Sequence, residues 1–471
     1  MSPPLASQRP SARDRDWIEN AMTTRYMKLV AFLKAGPTSH HHGMWRHPET
    51  DNGFLEPEWY EHLARVLERG FFDCLFFADV LGLYDYYNSS YDVTVGKGGA
   101  LSLLDPLPII AMMARVTRNI GLGATLSTTF HNPYQIARTL ATLDILSNGR
   151  TAWNVVTSAS HLEARNFGLD AIPGRDERYA RADEVLESCV KLWESWETDA
   201  IILDKESGVF ADPRKLRYAN YQGRFVRTRG PLTTPRMPQG RPIIMQAGSS
   251  GPGRDFAARW AEMIFTLQHT ADDMRRFRSE TRARMTALGR DPDDCAVLPS
   301  VDPIIGETES IAREKQDYVN SLVDPELGMA LMSSHVGVDL SRFPISQPVS
   351  DLSLEEGSRG SFDVILQGTR AHGLTLGEAA RRYATSELAP QIVGTPAQVA
   401  DQLEAMFTSE ACDGFILTPT VTPGTWEQFT RAVVPILQRR GLMRRAYEGS
   451  TLRENLRAAP QPGSLGSGRA A

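Results

Sequence analysis

Short apolar runs alternate with amphipathic helical stretches along most of the 471-residue chain. The run MKLVAFLK at 27–34 predicts a first strand. EWYEHLARVLERG, apolar at helical spacing and closed by a glycine, predicts the helix after it. FDCLFFAD at 72–79 is almost wholly apolar, as a strand buried on both faces must be. PLPIIAMMARVT then leads to the third strand, NIGLGATLSTTF, and PYQIARTLATLDILSNG to the fourth, RTAWNVVTS, with RYARADEVLESCVKLWESW as a long helix beyond it. After a Pro- and Gly-rich excursion at 197–240, PIIMQAGSS (242–250), EMIFTLQ, CAVLPSVDPII and DGFILTP (413–419) supply strands five to eight, each followed by a helical pattern.

Eight β-then-α units in series predict an α/β fold, a parallel sheet closed as a (β/α)8 TIM barrel with insertions. Residues 1–26, polar and rich in Pro, Ser and Arg, read as a disordered extension, and 458–471 as a flexible tail. One barrel therefore covers 27–457. Residues 323–395 fit no unit and read as an insertion, a lid over one mouth.

A hydrophobic content of 41% in a chain this long supports a large core. With 51 Lys+Arg against 57 Asp+Glu and a formal charge of −6, there is no basic footprint for nucleic acid. No run approaches the ~20 apolar residues of a membrane span, and the N-terminus lacks a signal-peptide core. Cys74, Cys189, Cys295 and Cys412 lie far apart, which suits buried thiols in a reducing cytoplasm.

Several motifs fail on inspection. GLGATL at 121–126 begins like a dinucleotide fingerprint, but Leu126 replaces the third glycine and the segment lies within a strand. Gly248-Ser249-Ser250-Gly251-Pro252 misses the nucleophile elbow at Pro252. His40, His41, His42 and His47 are the densest histidines, yet neighbours on an extended segment point in opposite directions, so at most two converge. A polar loop at the barrel's active mouth is the preferred reading, with one histidine in reach of substrate.

Barrel chemistry sits where strands end. Those ends carry Asp79, Thr125 to Thr129, Asn154 to Ser158, Ser249 and Ser250, and Phe265 to Gln268. Mostly neutral hydrogen-bonding groups suit a polar heterocycle better than a hydrolytic pair of carboxylates. AGSSGPGR is either an anion site at a helix N-terminus or an ordinary Gly-rich turn. Asp79 is either a helix cap or a partner for ligand hydrogens. Arg175 and Tyr179 offer a guanidinium and a hydroxyl, or are a solvated arginine and a core-edge tyrosine. His335 stands alone in SSHVGVDL.

The runs HHHGMWRHP, FADV, GATLSTTFHNPYQIARTLATLDILSNGRTAWNVVTS, ARNFG, RYARADE, QAGSSGPGR and SSHVGVDL resemble one known group across about residues 27 to 455. It is the nitrilotriacetate and dibenzothiophene sulfone monooxygenase group of the bacterial luciferase-like flavin-dependent monooxygenases. The resemblance implies a barrel that takes reduced FMN (FMNH2) from a separate NAD(P)H:flavin reductase. Oxygen then adds at the flavin C4a and the resulting peroxyflavin oxygenates a substrate. It carries flavin contacts to Asp79, Thr125, Asn154, Tyr179, Ser249 and Ser250. Arg175 stands where the group usually has histidine and still suits a phosphate. It lines the substrate pocket with Phe32, His40, Phe76, Phe265, Leu267 and His335, and gives His40 and His335 catalytic roles. An aromatic pocket favours a small aromatic substrate bearing a sulfone or halogen. The alternative is a flavin-dependent desaturase or N-hydroxylase acting on a natural-product precursor or polyamino-carboxylate. A homodimer or homotetramer, no nucleic acid and no membrane complete the expectation.

Overall fold

The computed structural model describes residues 25–248, 251–352 and 373–460. Ser249 and Ser250, most of the expected N-terminal extension, the middle of the insertion and the end of the C-terminal tail lie outside those residues. Eight strands follow in order: β1 Lys28–Lys34, β2 Cys74–Ala78, β3 Gly121–Ser127, β4 Thr151–Val156, β5 Ile243–Gln246, β6 Met263–Thr266, β7 Ala296–Ile305 and β8 Gly414–Leu417. Each pairs in parallel with its neighbours, and β1 pairs with both β2 and β8, so the sheet closes. The chain folds as the (β/α)8 barrel that the alternating pattern predicts.

Helices α1 Pro57–Arg69, α2 Pro106–Val116, α3 Pro133–Leu146, α4 Arg175–Trp193, α5 Gly251–Trp260, α6 Ala271–Ala287 and α7 Glu309–Ser321 follow strands β1 to β7. Their starts are chemically marked. The Asp105 and Asn132 side chains accept from the backbone N–H groups of Leu107 and Tyr134, each with a proline at the first helical position. Outward strand residues such as Leu29, Ala31, Leu75 and Phe77 pack with Tyr60, Leu63 and Ile109 of the helices. Inward residues fill the lumen: Val30, Phe32, Cys74, Phe76, Ala152, Met245, Met263, Leu298 and Ile416.

The glycines of GLGATL now have a packing role. Phe76 faces Gly123 across the β2–β3 register, and a Cβ on Gly123 would lie 2.6 Å from the Phe76 Cβ. All four cysteines are buried and unpaired. Among the described residues no helix is long and apolar enough to cross a membrane.

Two expectations need correction. Arg25, assigned to the disordered extension, pairs with Asp413 and sits 4.5 Å over the Phe407 ring. The insertion also does more than cover the barrel. Gln391–Gly394 is a strand paired in parallel with the last four residues of β7, from Asp302↔Gln391 to Ile305↔Gly394. Four residues after Pro390 were too short a run to read as a strand. Ahead of it, α8 Pro325–Val336 and α9 Leu376–Ser386 pack together around Leu327, Leu331, Ala380 and Tyr383.

Candidate active site

Because strand side chains alternate, the inward rows that fill the lumen continue to the carboxyl ends of the strands. There they carry Lys34 on β1, Thr125 on β3, Asn154 on β4, Phe265 on β6, Asp302 on β7 and Thr418 just after β8. The apolar lumen thus ends in a polar mouth with two unlike sides.

On the β2–β5 side the groups are mostly neutral. Asn154 Nδ2 donates to Thr125 Oγ1 at 2.8 Å, and Thr125 Oγ1 donates to the Phe77 carbonyl at 2.7 Å. Asp79, partly buried at the end of β2, is pushed up to about 6 by burial, with a hydrogen bond from Ser102 opposing. Tyr179 packs against Phe256 with ring centroids 5.7 Å apart. Arg175, the expected guanidinium, is exposed on the first turn of α4. Arg178, one turn on, is buried, and its Nε has no partner among the described residues. Gly248 holds the turn after β5 tight, since a Cβ there would lie 2.7 Å from the Gly253 carbonyl oxygen. Ser249 and Ser250 follow it, outside the described residues.

On the other side an aromatic wall meets buried charge. Phe32 lies 4.2 Å from His40, 5.3 Å from Phe76 and 6.1 Å from Phe265, between ring centroids. Leu267 is partly buried just beyond β6. The histidine run is not the solvated loop expected of it: His40, His41 and His42 are 3%, 0% and 1% exposed. Their alternation holds, however, and His40 and His42 converge on Glu387. His42 Nε2 lies 3.1 Å from Glu387 Oε1, His40 Nε2 4.0 Å from Oε2, and Lys34 Nζ 3.8 Å from Oε1. Burial pushes both His40 and His42 down to about 4, with Glu387 opposing, so the rings are neutral at pH 7. Burial alone would raise Glu387, but His40, Lys34 and His42 around it hold its carboxyl well below the usual range.

Glu387 reaches this position through strained backbone. It caps α9 with φ 48°, and Leu388 follows at φ 70°, two successive non-glycine residues in the left-handed region. The His42 N–H donates to the Ala384 carbonyl at 2.9 Å, tying the loop after β1 to α9. His335 ends α8 between two phenols, with Nε2 3.0 Å from Tyr84 OH and Nδ1 in hydrogen-bond contact with Tyr383 OH. Asp302 is fully buried at the root of the mouth, bonded by Thr418 Oγ1, and burial raises its carboxyl well above the usual value.

The arrangement offers a hydrogen-bonding shelf beside an aromatic slot, roofed by α8 and α9. Residues 38–412 match the model of the luciferase-like monooxygenase family. This chain belongs to that family. It is 45% identical over 437 residues to the dibenzothiophene-sulfone monooxygenase of Rhodococcus erythropolis, covering 92% of this chain and 96% of the relative. To nitrilotriacetate monooxygenase component A of Aminobacter aminovorans it is 40% identical over 432 residues, covering 90% and 95%. The barrel superposes on a riboflavin lyase solved with modified FMN and riboflavin at TM-score 0.84 and 33% identity, covering 92% of this chain and 96% of that one. The protein is thus an enzyme of a flavin-dependent monooxygenase family, some of whose members work as one component of a larger system.

The residues present fit a flavin. The unpartnered guanidinium nitrogen of Arg178 beside Tyr179, the glycine-tight turn after β5 and the neutral Thr125–Asn154 shelf match a phosphate, its approach and a polar ring system in turn. Sequence reasoning missed Arg178, Glu387, Lys34, Tyr84 and Tyr383. Only Tyr84 and Lys34, on or close after predicted strands, carried a positional signal.

Proposed function

We propose that this enzyme is a two-component, FMNH2-dependent monooxygenase acting on a small aromatic substrate, such as one bearing a sulfone or halogen. The reduced cofactor, delivered by a separate NAD(P)H:flavin reductase, supplies two electrons for the activation of O2. Asp79, Thr125 and Asn154 hold its ring system, and Arg175, Tyr179, Ser249 and Ser250 its phosphate end, with Arg178 as a further cation. Phe32, Phe76, Phe265 and Leu267 hold the substrate ring.

The observation that carries this reading is the adjacency of the two surfaces. Phe76 on the aromatic wall pairs with Gly123, and two residues further along the same strand is Thr125 of the hydrogen-bonding shelf. A flat substrate and a polar ring system meet face to edge at this seam, which is what oxygen transfer between them requires. The insertion serves as the lid, with α8 and α9 excluding water from the reacting atoms. His40 and His335 act on the substrate side. His335 has both ring nitrogens engaged by tyrosines, so it moves a proton through Tyr84 or Tyr383 and not by direct contact. Four buried thiols suit a cytoplasmic enzyme, and a homodimer or homotetramer is its assembly.

Product mass tests the reading. Single turnovers with photoreduced FMN, ¹⁸O2 and a panel of aryl sulfones and halides give a product with one ¹⁸O atom. The likeness to a riboflavin lyase, which is not named a monooxygenase, favours one second reading: desaturation or N-hydroxylation of a biosynthetic precursor or polyamino-carboxylate. Loss of two hydrogens without ¹⁸O establishes desaturation. Label on nitrogen establishes N-hydroxylation.

A further inference from the structure

A neutral imidazole carries one N–H and one bare nitrogen, and which is which follows from what each nitrogen faces. A carboxylate only accepts. His42 turns Nε2 to Glu387 Oε1 at hydrogen-bond distance, so that nitrogen carries the proton. His40 turns Nε2 toward the other carboxylate oxygen at 4.0 Å, where a lone pair would be repelled and an N–H attracted. The Nδ1 atom of His40 is buried and has no hydrogen-bond partner among the described residues. An unmet buried acceptor calls for an explanation. The ring that carries it lies against Phe32 and 6.0 Å from Phe265, in the aromatic slot itself. His335, by contrast, has no free nitrogen.

We propose that Glu387 is a positioning residue that holds the proton of His40 on Nε2, keeping Nδ1 as a bare acceptor, and that the slot's occupant donates an O–H or N–H to that nitrogen. The strained cap at Glu387 and Leu388 fits this role. Two left-handed residues persist only where the surroundings over-determine them, and here they deliver the carboxylate to Lys34 and both histidines. The logic is that of a catalytic triad, in which a buried carboxylate fixes the tautomer and orientation of a working histidine. The substrate class narrows accordingly, to aromatic rings bearing a hydroxyl or N–H. This second half rests on the aromatic-substrate reading above, whereas the tautomer half does not.

Both halves are read on the full chain without cofactor, by ¹⁵N-histidine NMR with the His40 resonances assigned from their loss in His40→Gln. The expected wild-type pattern is a single Nε2–H tautomer. Glu387→Gln combined with Lys34→Met removes the carboxylate without stranding the lysine, and the Nδ1–H form then becomes populated. Glu387→Asp, which keeps the charge, retains the wild-type pattern. A wild-type Nδ1–H form, or a pattern unchanged in the double variant, overturns the positioning role. Phenol and anisole differ by one donor. Phenol shifts the His40 Nδ1 resonance at a concentration about tenfold or more below any effect of anisole. Equal effects overturn the donor requirement, and no effect from either overturns the aromatic-slot reading while leaving the tautomer result standing.

Discussion

On the β2–β5 side of the mouth, Thr125 and Asn154 satisfy each other and the Phe77 carbonyl with neutral groups. On the β1–β8 side, Lys34 and Glu387 are buried together with His40 and His42, and Asp302 lies below them. A neutral hydroxyl or amide exchanges one partner for another with little change in free energy, because each bond is a net ~1 kcal/mol. A buried ion pair cannot, since removing either member leaves an uncompensated charge. The neutral side is therefore suited to receiving and releasing a cofactor. The charged side is suited to holding one fixed geometry around a substrate.

Breaking the charged side gives the largest expected effect. Glu387→Ala leaves Lys34 buried without its carboxylate and destabilises the fold by about 3–5 kcal/mol in denaturant titration. Glu387→Gln with Lys34→Met recovers most of that. A loss under about 1 kcal/mol in Glu387→Ala would show that the cluster is solvated and not the rigid element described. Next comes His335→Ala. It lowers product formed per bound flavin by about 10²-fold and leaves FMN affinity within about twofold; equal losses in both would remove His335 from the substrate side.

The pH response sharpens the comparison from the other side. Asp79 has a folded value of about 6 against 3.8 for the free group. Its contribution to stability is complete below the lower value and is lost as pH rises through the upper one. Asp79→Asn removes that loss, so the variant gains on wild type by about 1–2 kcal/mol between pH 4 and pH 7.5. A difference independent of pH would mean that the carboxyl titrates normally. The smallest stability effect belongs to Asn154→Ala, about 1 kcal/mol, because Thr125 keeps its bond to Phe77.

The barrel was legible because its signal is repeated eight times and each strand is apolar enough to stand out between helical patterns. The strand-end residues were legible for the same reason: once β3 and β4 are placed, alternation alone brings Thr125 and Asn154 to the mouth. Alternation also foretold that only two of the three adjacent histidines converge. It gave no hint that the loop is buried, because burial there comes from α9, some 340 residues on in the chain. Glu387 was illegible for a related reason. It acts from a left-handed helix cap inside an insertion whose pattern matches no βα unit, and nothing local distinguishes it from a surface glutamate. Tyr84 and Tyr383 likewise acquire meaning only when His335 is placed between them.

The most direct test of this division is anaerobic titration of the ligand-free enzyme with photoreduced FMN, comparing wild type with Asn154→Ala and with the Glu387→Gln, Lys34→Met pair. The account predicts about tenfold weaker binding in Asn154→Ala and an affinity within about twofold of wild type in the double variant. Unchanged affinity in Asn154→Ala, or a matching loss in the double variant, would contradict a cofactor held by the neutral side alone.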